Sequence, residues 1–337
     1  KAYEYYFSQI STIPDVKEYK VFNIVDQCYI GVLHDEFVAL YGEEGFSFIL
    51  KGEPYKIVSI EEDKIYVEPS KDFEASIPAW EGELIPVPFE VAQEVGKIRE
   101  KVLIDDLSEY PIDENCLNVA RKFFNEQSKH FLPTDKKIFV EYFENKIIVH
   151  SCLGNKVNET LKNLILSKLS FFARSKADAY RITFILDVLA NEKHANEIKE
   201  IIENYDGNLE EELDAFISQT DLFYLRFTHV AKRFGIIKSD AEITKTIVRG
   251  LVKEFFGTVV WQEALKELKV EKLDIEKLKE ILKMVKEKNI EINVVKGPSL
   301  LAKLGLRKIF IELYEEKSKD VLELFKRRVL EKRIKLI

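Results

Sequence analysis

Cysteine is scarce in this chain of 337 residues: Cys28, Cys116 and Cys152 are the three, widely spaced and without a CxxC pair. An odd, scattered set indicates neither a disulfide framework nor a zinc knuckle, and it suits a reducing cytoplasm. No run of about eighteen apolar residues occurs, so neither a membrane-spanning helix nor a membrane partner is expected. Lys1-Ala-Tyr-Glu-Tyr-Tyr-Phe7 lacks the charged-then-apolar order of an export signal. Catalytic signatures are missing as well. There is no GxxxxGK[ST] phosphate loop, no GxGxxG, no HExxH and no GxSxG, which removes the main support for a nucleotide-driven motor, a zinc peptidase or a serine hydrolase within these residues. The histidines, His34, His130, His150, His194 and His229, never stand three to five residues apart. His130 and His150 could meet across a hairpin near Asp135, as metal ligands or simply as hydrogen-bonded histidines. No catalytic residue, metal or cofactor is therefore assigned to this chain.

What is present is a chain able to fold. Hydrophobic residues make up 46% and aromatic residues 12% of it, too many for a disordered polymer. One methionine, few glutamines and abundant Lys, Glu and Ile fit a thermophilic composition. The net charge of −8 is unevenly spread. Residues 1–100 carry nine basic and twenty acidic side chains, whereas the stretch from Lys296 to Ile337 carries twelve basic and six acidic ones. Such asymmetry predicts modules with different electrostatic work.

The first hundred residues read as β structure. Lys20–Val25 and Cys28–Leu33 flank a turn at Asp26-Gln27. Phe46–Leu50, Tyr55–Ile60 and Ile65–Glu68 follow, separated by Lys51-Gly52-Glu53-Pro54 and Glu61-Glu62-Asp63-Lys64. Short strands and tight turns predict a small antiparallel barrel. A proline-rich passage, Ile77 to Pro88, then holds the chain extended up to a helix over Phe89–Val102. A helix over Asn115–Gln127 and a hairpin, Ile138–Phe143 with Lys146–Ser151, come next, and Arg181–Leu186 can add a third strand. Val157, Leu161, Leu164, Ile165, Leu169 and Phe172 mark one amphipathic helix, and beyond residue 190 nearly everything reads as helical. Asp274 is the expected N-cap of a helix bearing Leu278, Ile281, Leu282 and Val285. Leu322, Phe325 and Val329 mark a last helix. The expected class is α+β: residues 13–86 form the barrel module, and 87–337 a larger, mostly helical module holding a short antiparallel sheet. Residues 1–12 belong to a linker or a preceding domain.

Four groups of residues could bind a ligand. Trp80, on the rigid proline-rich passage, can stack an unpaired base or cover the seam between barrel and helices. His150-Ser-Cys-Leu-Gly154-Asn-Lys156-Val-Asn158 opens a helix with Lys156 and Asn158 near its positive end. That suits a phosphate, or an ordinary strand-to-helix connection. Lys232 and Arg233, ahead of Gly235, can form part of a phosphate track or a plain helix C-terminus. Lys326, Arg327, Arg328, Lys332 and Arg333 give the last helix a cationic face.

Thr12-Ile-Pro-Asp15, Ile30 to Val38, Trp80-Glu-Gly82 and Ile85 to Ala92 follow one another in an order that resembles the region after the winged helix in large helicase-related (Lhr) proteins, a family of superfamily-two helicases. Thr12-Ile-Pro-Asp15, Tyr19 to Val25 and Ile30-Gly-Val-Leu-His-Asp-Glu-Phe-Val38 open the match, with His34 where the family more often has Asp. Trp80-Glu-Gly82 with Ile85-Pro-Val-Pro-Phe-Glu-Val-Ala92 is its strongest part. Leu132-Pro-Thr-Asp135, His150 with Gly154, Val157 and Asn158, Val230 to Gly235, Trp261-Gln-Glu-Ala-Leu265 and Gly297-Pro-Ser-Leu300 continue it. The resemblance implies an archaeal-type accessory domain whose motor and winged-helix domains lie in cis, the motor domains binding ATP and magnesium. It implies that this part holds the single strand, DNA or RNA, leaving a 3′-to-5′ motor, with Trp80 stacking on a base. Lys156, Asn158, Arg233 and the face of Lys326, Arg327 and Arg328 would meet the backbone. Where the family is often richer in Arg, this chain has Cys152 and Lys156. A protein-docking module without nucleic-acid contact is the alternative, and a base-excision (DNA repair) domain a third reading.

Overall fold

A computed structural model describes residue 3, residues 17–70 and residues 85–304, apart from 26–27, 52, 105, 108, 239–240 and 242. The turn at Asp26-Gln27, Gly52, Trp80, the segments 1–2 and 4–16, and the basic stretch with Lys326, Arg327 and Arg328 lie outside the described residues.

The first sheet holds β1 (Glu18–Asn23), β2 (Tyr29–His34), β3 (Ser47–Leu50), β4 (Glu53–Glu61) and β5 (Lys64–Pro69), with helix α1 (Asp35–Tyr41) between β2 and β3. Its strand order is β2-β1-β5-β4-β3. This corrects the expected antiparallel barrel in two respects. The central pair, β1 with β5, is parallel, and β2 and β3 stand at opposite edges, so the sheet curls as a half-barrel. The reason is topological: α1 carries the chain from one edge to the other, and β5 returns beside β1 in the same direction. Val21, Leu33, Phe48, Ile57, Ile65 and Val67 turn inward onto Phe37 of α1 and form a core of their own.

The second sheet has the order β10-β6-β7-β9-β8, from β6 (Lys137–Phe143), β7 (Lys146–His150), β8 (Arg174–Ala177), β9 (Arg181–Ile185) and β10 (Glu291–Lys296). The expected hairpin and third strand are there, but the sheet is mixed, because β10 pairs parallel to β6. Nor is the chain beyond residue 190 helical throughout. Ile292, Val294 and Val295 suit a strand, and β6 offers them a free edge. The helices are α2 (Phe89–Ile104), α3 (Glu114–Ser128), α4 (Gly154–Lys168), α5 (Glu192–Glu203), α6 (Leu209–Ile217), α7 (Asp221–Arg233), α8 (Lys245–Glu254), α9 (Val259–Lys272), α10 (Ile275–Lys286) and α11 (Leu300–Leu304). Asp274 caps α10, its side chain accepting the Lys277 N–H at 3.0 Å. α4 stops at Lys168, so Phe172, expected on its stripe, lies beyond it and is 68% exposed.

Both faces of the second sheet are covered. Ile138, Val140, Ile147, Val149, Ile182 and Phe184 pack against the helices of the main core. On the opposite face Phe131 stacks on Phe139, ring centroids 4.7 Å apart, and Ala302 of α11 packs on Phe143 and Ile148. A carboxylate, Glu141, is buried on that face with no solvent exposure. Its oxygens accept the Ser299 N–H at 2.5 Å and the Ser299 hydroxyl at 2.9 Å, and His150 Nε2 lies at 2.6 Å. His150 and Glu141 are diagonal neighbours across the hairpin, on one face of the pleat. The expected meeting of His130 and His150 does not occur: His130 is exposed, because α3 ends before it and directs it to solvent.

Burial holds the His150 imidazole below the ordinary histidine value, against the upward pull of Glu141. The folded state therefore prefers neutral His150, which donates to Glu141. As pH falls below the ordinary value of about 6.5, the unfolded chain takes up this proton first, and stability drops. We expect the melting temperature to fall from about pH 7 towards pH 5, with a shallower fall in His150→Gln, as read by calorimetry. Glu141→Ala strands three buried donors and should cost on the order of 3 kcal/mol in denaturant titration. Hydrogen exchange should then rise first at Ser299–Ala302.

Candidate nucleic-acid interface

The segment that carries Trp80 runs between two fixed points. On one side Ser70 N–H donates to the Pro54 carbonyl at 2.9 Å, at the end of β5. On the other, Val87 and Asn155 bond reciprocally: Val87 N–H donates to Asn155 Oδ1 at 2.8 Å, and Asn155 N–H to the Val87 carbonyl at 3.1 Å. Gly154 makes this approach possible. Its φ is +77°, and a Cβ there would lie 2.8–2.9 Å from the backbone of Val87, Pro88 and Phe89. Both a left-handed conformation and backbone contact call for glycine. Gln93 adds a 2.6 Å bond from Nε2 to the Cys152 carbonyl.

The same packing changes the reading of the helix that follows. Gly154 N–H donates to the Ala179 carbonyl at 2.9 Å, and Asn155 N–H is taken by Val87, so the first donors of α4 are already satisfied within the protein. A phosphate at this helix start would have to displace them. Asn158 is fully buried, which corrects its assignment as a backbone contact: Ser151 Oγ donates to its Oδ1 at 2.7 Å, and its Nδ2 donates to the Asp178 carbonyl at 2.8 Å. It ties β7 to the turn before β9. Lys156 is half-buried, and its Nζ donates to the Val270 carbonyl at 2.8 Å. It reaches solvent, but with a partner in α9.

Arg233 closes α7, where its guanidinium lies 2.5 Å from Glu267, and Arg226 on the same helix pairs with Glu267 and Glu271. Gly235, at φ +71°, ends the helix as a terminating glycine does. Two acidic residues of α9 thus pair with the two arginines of this helix. Sequence reading missed Glu141, α1 and the bonding of Asn155 to Val87. For Glu141 the signal was available, since Glu and His nine residues apart across a two-residue turn fall on one face of a hairpin.

Between the first sheet and the helices lies a cleft of about 350 Å³, lined in part by Tyr41, Glu159, Lys162, Arg174, Asp221 and Lys272. Its charges are largely paired inside the protein. Lys162 binds Glu159 at 2.5 Å, Arg174 binds Asp187 at 3.1 Å, Lys272 binds Glu36 of α1 at 2.5 Å, and Lys245 binds Asp221. Burial, with Glu159 and Glu36 nearby, pushes the Tyr41 phenol well above its ordinary value. Burial also raises the Cys152 thiol, which makes it a poor nucleophile. Among the described residues no group of three His, Cys, Asp or Glu could hold a metal ion. No helix of the described residues is long and apolar enough to cross a membrane.

A family described as "DEAD/H associated" matches residues 132–302, from the loop before β6 to α11. The ATP-dependent helicase Lhr-Core of Methanocaldococcus jannaschii is 27% identical to the chain, covering 96% of it and 40% of the relative. The ATP-dependent helicase Lhr-Core protein 2 of Thermococcus barophilus is 28% identical over 85% of the chain and 36% of its own length. The chain thus spans about two fifths of these relatives. The helicase Lhr of Mycobacterium smegmatis, solved bound to ssDNA and AMP-PNP, shares the fold with a TM-score of 0.55 and 16% identity, over 90% of this chain and 43% of that one. The family match takes in half of the chain and the whole second sheet, so the chain belongs to the DEAD/H associated family.

Proposed function

We propose that this chain is the single-strand-handling part of an ATP-dependent 3′-to-5′ helicase and holds the strand that leaves the motor. The observation that carries the reading is collinearity: 96% of the chain aligns with an archaeal Lhr-Core helicase more than twice as long. The fold shared with an Lhr solved on ssDNA supports it. The remaining length of such relatives has room for the motor, and the sequence here contains no phosphate loop. ATP and magnesium would therefore bind the motor, and this region would act on the strand alone.

Within that reading Trp80 is the stacking residue. The described residues on either side of its segment are fixed, Ser70 to Pro54 and Val87 to Asn155. The cationic face of Lys326, Arg327 and Arg328 supplies charge that the acidic first sheet lacks. Lys156 and Arg233 would reach a phosphate only by leaving Val270 and Glu267, so they contribute less than their charge suggests.

Binding of a labelled single strand, followed by fluorescence anisotropy, tests this. Trp80→Ala should weaken it roughly tenfold or more, the loss of about one stacked base. Unchanged affinity across a salt series would remove Trp80 from the interface. Lys326→Glu with Arg327→Glu and Arg328→Glu should lower the slope of log affinity against log salt by about 0.7 for each phosphate that is no longer neutralised. A wild-type chain that binds no strand at any ionic strength would instead point to a protein-docking module.

A further inference from the structure

The outer face of the first sheet has an organisation that its core does not require. Along β1 and β5 the inward residues are Val21, Asn23, Ile65 and Val67, all buried. The outward residues alternate with them: Lys20 and Phe22 on β1, Lys64 and Tyr66 on β5. The parallel register sets Phe22 beside Tyr66 and Lys20 beside Lys64, and the antiparallel register sets Phe22 beside Tyr29 of β2. Three aromatic rings therefore form a row across three strands. Phe22 and Tyr29 have centroids 5.8 Å apart, and Phe22 and Tyr66 6.2 Å apart. Tyr29 is 55% exposed, and Phe22 and Tyr66 are half-buried.

One step along the strands stand the two lysines. Like charges on directly paired positions destabilise a sheet unless an anion joins them. Both are exposed, and among the described residues neither forms an ion pair. The nearby carboxylates Glu18 and Glu68 are engaged instead, at 3.9 Å from His34 and 4.0 Å from Lys56. Glu61 stands across from Lys64 in the β4–β5 register. Cross-strand packing alone would explain an aromatic pair, but not a row of three beside two exposed lysines.

We propose that this face is a second strand-binding surface, on which unpaired bases lie over Phe22, Tyr29 and Tyr66 while Lys20 and Lys64 meet the phosphates between them. The ring spacings leave no room for a base between rings, so bases would rest on the solvent side, as on an open aromatic sheet. The proposal rests on the reading that the chain binds single-stranded nucleic acid, and it adds a site separate from Trp80.

Anisotropy of a labelled oligothymidine with the full chain tests it. Tyr29→Ala with Tyr66→Ala should weaken binding about tenfold or more, whereas Tyr29→Phe with Tyr66→Phe, which keeps both rings, should bind as wild type does. Lys20→Glu with Lys64→Glu should flatten the salt slope by about 0.7 per lysine. Irradiation of wild type with a strand carrying 4-thiothymine should crosslink peptides containing Tyr29 or Tyr66, a readout that needs no variant to fold. Wild-type affinity in the alanine pair, or no crosslink at either tyrosine while the strand binds, overturns the surface and leaves Trp80 standing. No binding by wild type at any salt concentration overturns the broader reading with it.

Discussion

A sheet covered on both faces leaves water no access to its polar groups, and much of this molecule follows from that constraint. Each polar side chain that enters the second sheet must find its partners in protein or cost several kcal/mol. Glu141 finds three donors, from β7 and from the turn before α11. Gln127 bridges the end of α3 to α11: its Nε2 donates to the Phe131 carbonyl at 2.8 Å, and its Oε1 accepts the Leu301 N–H at 3.0 Å. Arg181 donates to the Leu301 carbonyl at 3.2 Å while pairing with Asp178. These contacts come from distant parts of the sequence, so the polar groups specify which cover belongs on the sheet. Apolar packing alone would specify it less sharply.

The same logic governs the start of α4. Four N–H groups at a helix start must be satisfied somehow, and here the chain arriving from the first sheet helps to do it. The residues best placed to attract a phosphate are spent on holding Val87. The acidic residues of α9 act similarly on α7, whose arginines hold Glu267 and Glu271 and are not a free positive track.

Local pattern made much of the fold legible. The β6–β7 hairpin alternates over a two-residue turn, the stripe of α4 is regular up to Ile165, and Asp274 precedes an unbroken helical period. Long-range pairing was hidden. Nothing near Lys20 says that Lys64 lies beside it, and nothing near Glu291 says that β6 has a free edge, so both parallel seams were missed. α1 spans only seven residues, and His34 gives it no side-chain cap. Asn158 misled because its neighbours, Gly154 and Lys156, have the chemistry of an anion site. Whether other chain lies over such a site cannot be read from the residues that form it.

The parallel seam between β1 and β5 has a consequence for how the first sheet comes into being. β1–β2 and β3–β4–β5 are two meanders that can each form from neighbouring sequence, whereas the seam joins the first strand to the last. Closing it requires the whole span to have been synthesised and α1 to have crossed underneath, which makes it the costliest loop closure in the unit and its slowest pairing. Until then the inner edges of both meanders are bare and open to strands from other chains. The seam is thus where a ribosome-bound or heat-stressed copy of this protein is most exposed to mispairing.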